Sequence, residues 1–73
     1  MENVIEIDEH KVVVSLDPEL GMLRGEFLGL AGGADFYAKN IDELVREGRK
    51  SLKVFLDLCK EKQVNPFREF SGR

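Results

Sequence analysis

Hydrophobic and polar residues alternate in the first half of the chain and recur at helical spacing in the second. From Lys11 to Leu16 a β-branched run puts Val12, Val14 and Leu16 on one face at period two, with Val13 and Ser15 on the other. Asp17-Pro18-Glu19-Leu20-Gly21 reads as a turn, because Pro18 fixes φ and Gly21 tolerates positive φ. Met22 to Leu28 forms the next strand, with Leu23, Gly25 and Phe27 on one side and Met22, Arg24, Glu26 and Leu28 on the other. Gly25 inside it predicts close approach by a neighbouring element, the helix being the expected one. After a link at Gly29 to Gly33, Ala34 to Ala38 predicts a third strand whose Ala34, Phe36 and Ala38 face inward, with Asp35 and Tyr37 outward. Val4 to Ile7 reads only as an extended lead-in.

The helix is the plainest element. Asn40 is a good N-cap, and Glu43 three residues on completes a capping-box spacing. Ile41, Leu44, Val45, Gly48, Leu52, Phe55, Leu56 and Cys59 then form one stripe, opposite Arg46, Arg49, Lys50, Lys53 and Lys60. Pro66 disfavours helix at Asn65, so the expected end is near Lys62. Phe67 and Phe70 would anchor the tail. The expected fold is α+β: residues 1–73 as a single domain, a three-stranded antiparallel sheet packed against one long helix, with room for a short fourth strand from the tail. Such a sheet has one covered face and one bare face.

Size and charge narrow the function. At 73 residues with one cysteine and one histidine, the chain builds neither an internal disulfide nor a zinc site, so its stability margin is thin. No apolar run nears the ~18 residues of a membrane span, and the acidic start is unlike a signal peptide; a cytoplasmic protein is expected. Residues 1–40 carry eight acids against three bases, net −5, whereas residues 41–73 carry eight bases against six acids, net +2. The sheet half should therefore repel nucleic acid and attract a basic protein.

No residue set predicts catalysis, a cofactor or a metal. Strand parity separates His10 from Glu9 and Lys11, leaving it a surface histidine. Cys59 lies on the apolar stripe and packs as a small hydrophobe. Asp17 and Glu19 lack a third ligand, and the glycines match no phosphate-binding loop. The basic helix side is interleaved with acids and carries no stacking aromatics, so a solvated face is the simpler reading than an RNA site. The outward sheet residues are more informative. Charge and strand parity select Asp17, Glu19, Met22, Glu26, Asp35 and Tyr37 as partner contacts on a non-enzymatic binding module.

From Lys11 to Arg73 the order of residues resembles the HicB antitoxins. The acidic turn closing on Gly21, the run Met22 to Leu30, the opening Asn40-Ile41-Asp42-Glu43-Leu44, Pro66 and the closing Phe70-Ser71-Gly72-Arg73 carry the likeness together. The resemblance implies a partial RNase H-like fold, a small basic HicA-type mRNA interferase as partner, and homo-oligomers. Members usually run on past the Ser-Gly-Lys/Arg into a DNA-binding segment; this sequence ends there, and direct DNA binding is not expected of it. Gly32 and Gly33 also stand where the family carries bulkier residues. Two other classes compete: a small nucleic-acid-binding αβ module using the basic helix face, and a degenerate hydrolase, which the apolar inward strand positions disfavour.

Overall fold

The computed structural model describes residues 3–32 and 35–67. Gly33 and Ala34 at the expected start of the third strand, and Phe70 to Arg73 in the tail, lie outside the described residues. Among the described residues four strands, β1 (Asn3–Ile7), β2 (His10–Asp17), β3 (Met22–Phe27) and β4 (Phe36–Ala38), precede one helix, α1 (Ile41–Lys62). The strands form a single antiparallel sheet whose spatial order is the chain order. The α+β architecture with one covering helix is thus as the alternation and the stripe predict. The lead-in, however, is itself a strand: β1 pairs with β2 from Asn3 opposite Val14 to Ile7 opposite His10. The described part of the tail contributes a single bridge, Leu30 to Phe67.

The β1–β2 connection has two residues, Asp8 and Glu9, with φ of 51° and 71°. Positive φ at both central positions is the primed hairpin turn that suits the natural twist of strands. A side chain at positive φ costs about 1–2 kcal/mol, and Glu gains little of the local bonding that makes Asp tolerable there. Asp8 is further engaged across the fold, accepting from Arg49 Nε at 3.2 Å. Glu9→Gly is therefore expected to raise the unfolding midpoint by several degrees in a thermal melt. An unchanged or lower midpoint would mean the turn is not strained. At the next turn Asp17 Oδ1 accepts from the backbone N–H of Glu19 and Leu20, and Gly21 N–H donates to the Asp17 carbonyl at 2.8 Å. Gly21 sits at φ 65°, where a side chain would be strained.

Burial follows the period-two face. Ile7, Val12, Val14, Phe36 and Ala38 meet Leu44 of the helix in one buried cluster, flanked by Ile5, Leu23, Phe27 and Val45. Two in-phase residues depart from expectation. Leu16 is 66% exposed; among the described residues Val14 is the last of its face opposite β1, and Leu16 is opposed only by Leu23 of β3. Ile41 is exposed because the first helical turn precedes the core. Gly25 is indeed approached closely, by the Phe36 ring and not by the helix backbone: a Cβ on Gly25 would lie 2.4 Å from Phe36 Cε2. The same ring edge would be 2.9 Å from a Cβ on Gly48 of the helix. One aromatic ring is thus seated between two glycines, one from the sheet and one from α1.

The helix ends are capped as the sequence predicts at one end and differently at the other. Asn40 Oδ1 accepts from Glu43 N–H at 2.9 Å. At the C-terminus Gln63 adopts a left-handed conformation, and its N–H donates to the Lys60 carbonyl while Val64 N–H donates to that of Cys59. This pair of bonds is a Schellman stop; Pro66 lies too far along to set it. His10 is half-buried rather than a free surface residue, edge-on to Phe27 and stacked on Phe67 at 5.9 Å between centroids.

Candidate functional site

α1 covers the face carrying Val12, Val14 and Phe36, leaving the other face of the sheet open. Cross-strand register sorts its side chains into rows, since partners directly opposite share a face. Val4, Val13 and Glu26 make one row, Ser15, Arg24 and Tyr37 a second, and Asp17 with Met22 a third toward the turn. Glu6 and Lys11 form the row at the other end. Asp17, Met22, Glu26 and Tyr37 are therefore brought together as strand parity predicts. Glu19 stands exposed in the turn at the rim, and Asp35 immediately precedes β4.

The predicted residues are not equally free to meet a partner. Asp17 spends one carboxylate oxygen on two turn N–H groups, which makes it as much a turn residue as a contact. Asp35 is bound to Arg24, which sequence reasoning placed on this face but did not select. Asp35 Oδ2 accepts from Arg24 Nε at 2.7 Å and approaches Nη2 at 2.5 Å, and Glu26 lies 3.9 Å from Nη2 on the other side. The hydrogen bond to Asp35, reinforced by its charge, raises the already high pKa of the Arg24 guanidinium. That shift does not alter its charge at any physiological pH; the geometry pairs Arg24 closely with Asp35 and leaves Glu26 near the limit of ion-pair distance. The only sequence signal for the pair is register, because Asp35 sits two residues from Tyr37, the direct partner of Arg24.

The open face is accordingly less acidic at its centre than composition suggests, because Arg24 offsets Asp35 and Glu26 there; at one end Glu6 faces Lys11, and Glu19 stands at the turn. Near Arg24 stand Val13, Met22 and Tyr37, with Leu28 farther along the same face beside Lys11, all half-buried or exposed. An open depression of about 340 Å³ lies beside the turn, lined by Ser15, Asp17, Glu19 and Arg24 among others. On the helix, three cations of the basic side are already engaged: Arg49 with Asp8, Lys50 with Glu47 and Lys53 with Asp57. Among the described residues no three His, Cys, Asp or Glu side chains group as metal ligands, and no helix is long and apolar enough to cross a membrane.

No family model, curated protein or solved structure matches the chain.

Proposed function

We propose that this protein is a non-catalytic binding module of the antitoxin kind, which neutralises a HicA-type mRNA interferase by laying the open face of its sheet over the basic RNA-binding surface of the toxin. In this reading the sheet and helix are a partial RNase H-like scaffold. The observation that carries it is the make-up of that face: exposed Tyr37, Leu28 and Val4 with half-buried Met22 and Val13, interspersed with Asp17, Glu19 and Glu26, and with Arg24 paired to Asp35. Rim acids would stand where RNA phosphates sit on the toxin and steer the encounter, while the apolar centre loses its water on contact.

Scale supports using the turn as well. Strands of 5, 8, 6 and 3 residues, spaced about 4.8 Å and rising about 3.3 Å per residue, give a flat area of roughly 350 Å². A stable complex buries about 800 Å² on each partner. The Asp17–Gly21 turn and its depression would supply part of the difference.

The test is to look for a small basic protein encoded beside it, whose absence ends the proposal, and to co-express the two for capture and titration calorimetry. A complex that weakens with salt is expected, and Tyr37→Ala should raise Kd by about 30-fold, as for an aromatic anchor buried by the partner. Failure to form any complex with that neighbour ends the proposal. The reading as a nucleic-acid-binding αβ module on the basic helix face has weaker support, because Arg49, Lys50 and Lys53 would have to leave carboxylates they already hold.

A further inference from the structure

β4 closes one edge of the sheet and bonds only to β3 among the described residues. Register shows which of its backbone groups are left over. Leu28 N–H donates to the Lys11 carbonyl, so those two residues exchange hydrogen bonds and bonded pairs alternate from there along β3. Arg24 and Glu26 therefore bond to β2, whereas Leu23 and Gly25 turn to Ala38 and Phe36 of β4. Tyr37 lies between those two pairs, and its N–H and C=O point away from the sheet at its edge.

α1 walls that edge on one side. A groove of about 590 Å³ runs between them, lined by Tyr37, Val54, Phe55 and Leu58 among others. Arg46, Lys50, Val54 and Leu58 follow at four-residue intervals and so make one row along the helix. The row is apolar at the Leu58 end, where Val54 and Leu58 are exposed, and basic at the other. There a second depression, of about 430 Å³, shares Tyr37 and Glu47 with the first and adds Lys39 and Arg46. Lys50 is held by Glu47 at 3.5 Å. Neither Lys39 nor Arg46 has an ion pair among the described residues, and Glu43 is the other acid lining that end.

We infer that the β4 edge is a docking site for an extended segment of another protein, which adds as a fifth strand. It lays alternate apolar side chains on Val54, Phe55 and Leu58 and sets an acidic group at the Lys39–Arg46 end. Three features select this occupant. An extended backbone supplies the acceptor and donor that the Tyr37 N–H and C=O face, the way sheet edges capture peptides; a docked helix would leave both bare. Successive residues of a strand point to opposite faces, so every second one meets the helix wall. The two unpaired cations favour negative charge at one end alone. The same polarity disfavours a second copy, because a two-fold axis at Tyr37 would set the apolar end of each row against the basic end of the other. The edge is distinct from the open face, and the inference does not rest on the toxin reading.

The test is selection from a phage-displayed library of random heptapeptides on the isolated chain. Enriched peptides should alternate apolar and polar residues and carry Asp or Glu at one end. A synthetic peptide of the enriched sequence should slow hydrogen exchange of the Tyr37 amide. Its affinity should fall about tenfold or more in Leu58→Glu and several-fold in Arg46→Glu. Both positions are exposed, so circular dichroism should show the helix unchanged in each. Glu26→Ala, on the open face, should bind the peptide as wild type does, which keeps this outcome apart from that of toxin binding. No enrichment over an empty support overturns the inference. So do peptides that bind Leu58→Glu as well as wild type, or that leave Tyr37 exchange unchanged at saturation. A Tyr37 amide already protected without peptide, in an assembly of twice the mass of one chain, gives the edge to a second copy and overturns it too.

Discussion

Phe36→Ala is expected to cost about 3–5 kcal/mol, the largest loss of any single truncation in this chain. The residue is 6% exposed and touches both layers of the fold, so the hole it leaves is walled by backbone on two sides and does not collapse. At ~0.05–0.15 kcal/mol per residue, a domain of this length holds only about 4–11 kcal/mol in total. The variant should therefore be partly or wholly unfolded at 37 °C, with a melting midpoint at least ten degrees below wild type by circular dichroism at 222 nm. A shift under about 5 °C would show that the ring contributes far less than its position implies.

Gly25→Ala should also be damaging, although adding a methyl to a strand glycine ordinarily stabilises. Its Cβ would stand 2.4 and 2.5 Å from two carbons of the Phe36 ring, nearer than side chains ever approach. The ring has nowhere to retreat, because Gly48 backs the same two carbons. Overpacking of this sort costs about 1–3 kcal/mol. The decisive measurement is a double-mutant cycle in urea with Phe36→Leu, whose shorter side chain leaves space for the methyl. In that background Gly25→Ala should be neutral or stabilising. Additivity of the two changes within ~0.5 kcal/mol would refute a direct clash.

How far the sequence discloses this fold depends on how local each determinant is. The helix is legible because its cap and stripe lie within one segment: Asn40 bonds to Glu43, and Leu44, Gly48 and Leu52 share a face through spacing alone. The strand pair around the Asp17 turn is legible for the same reason. The β1–β2 hairpin is not, since Asp8-Glu9 lacks the glycine that marks a primed turn, and only the finished sheet imposes positive φ there. Gly25 signals a close neighbour, but naming Phe36 requires knowing that β4 lies opposite β3 with Gly25 facing Phe36. The Arg24–Asp35 pair is hidden likewise; strand parity gathers Met22, Glu26 and Tyr37 on one face without showing which acid is already spoken for.

Each strand pairs with the one made just before it, so hairpins close over short loops, a process of microseconds. The cover comes last. During synthesis at about 5–20 residues per second, Val12, Val14 and Phe36 have no lid for seconds after their ribbon has formed, until Leu44, Leu52 and Cys59 have left the ribosome. In that interval the bare ribbon is open to association with other nascent chains, and slow codons between Asn40 and Lys62 would lengthen it.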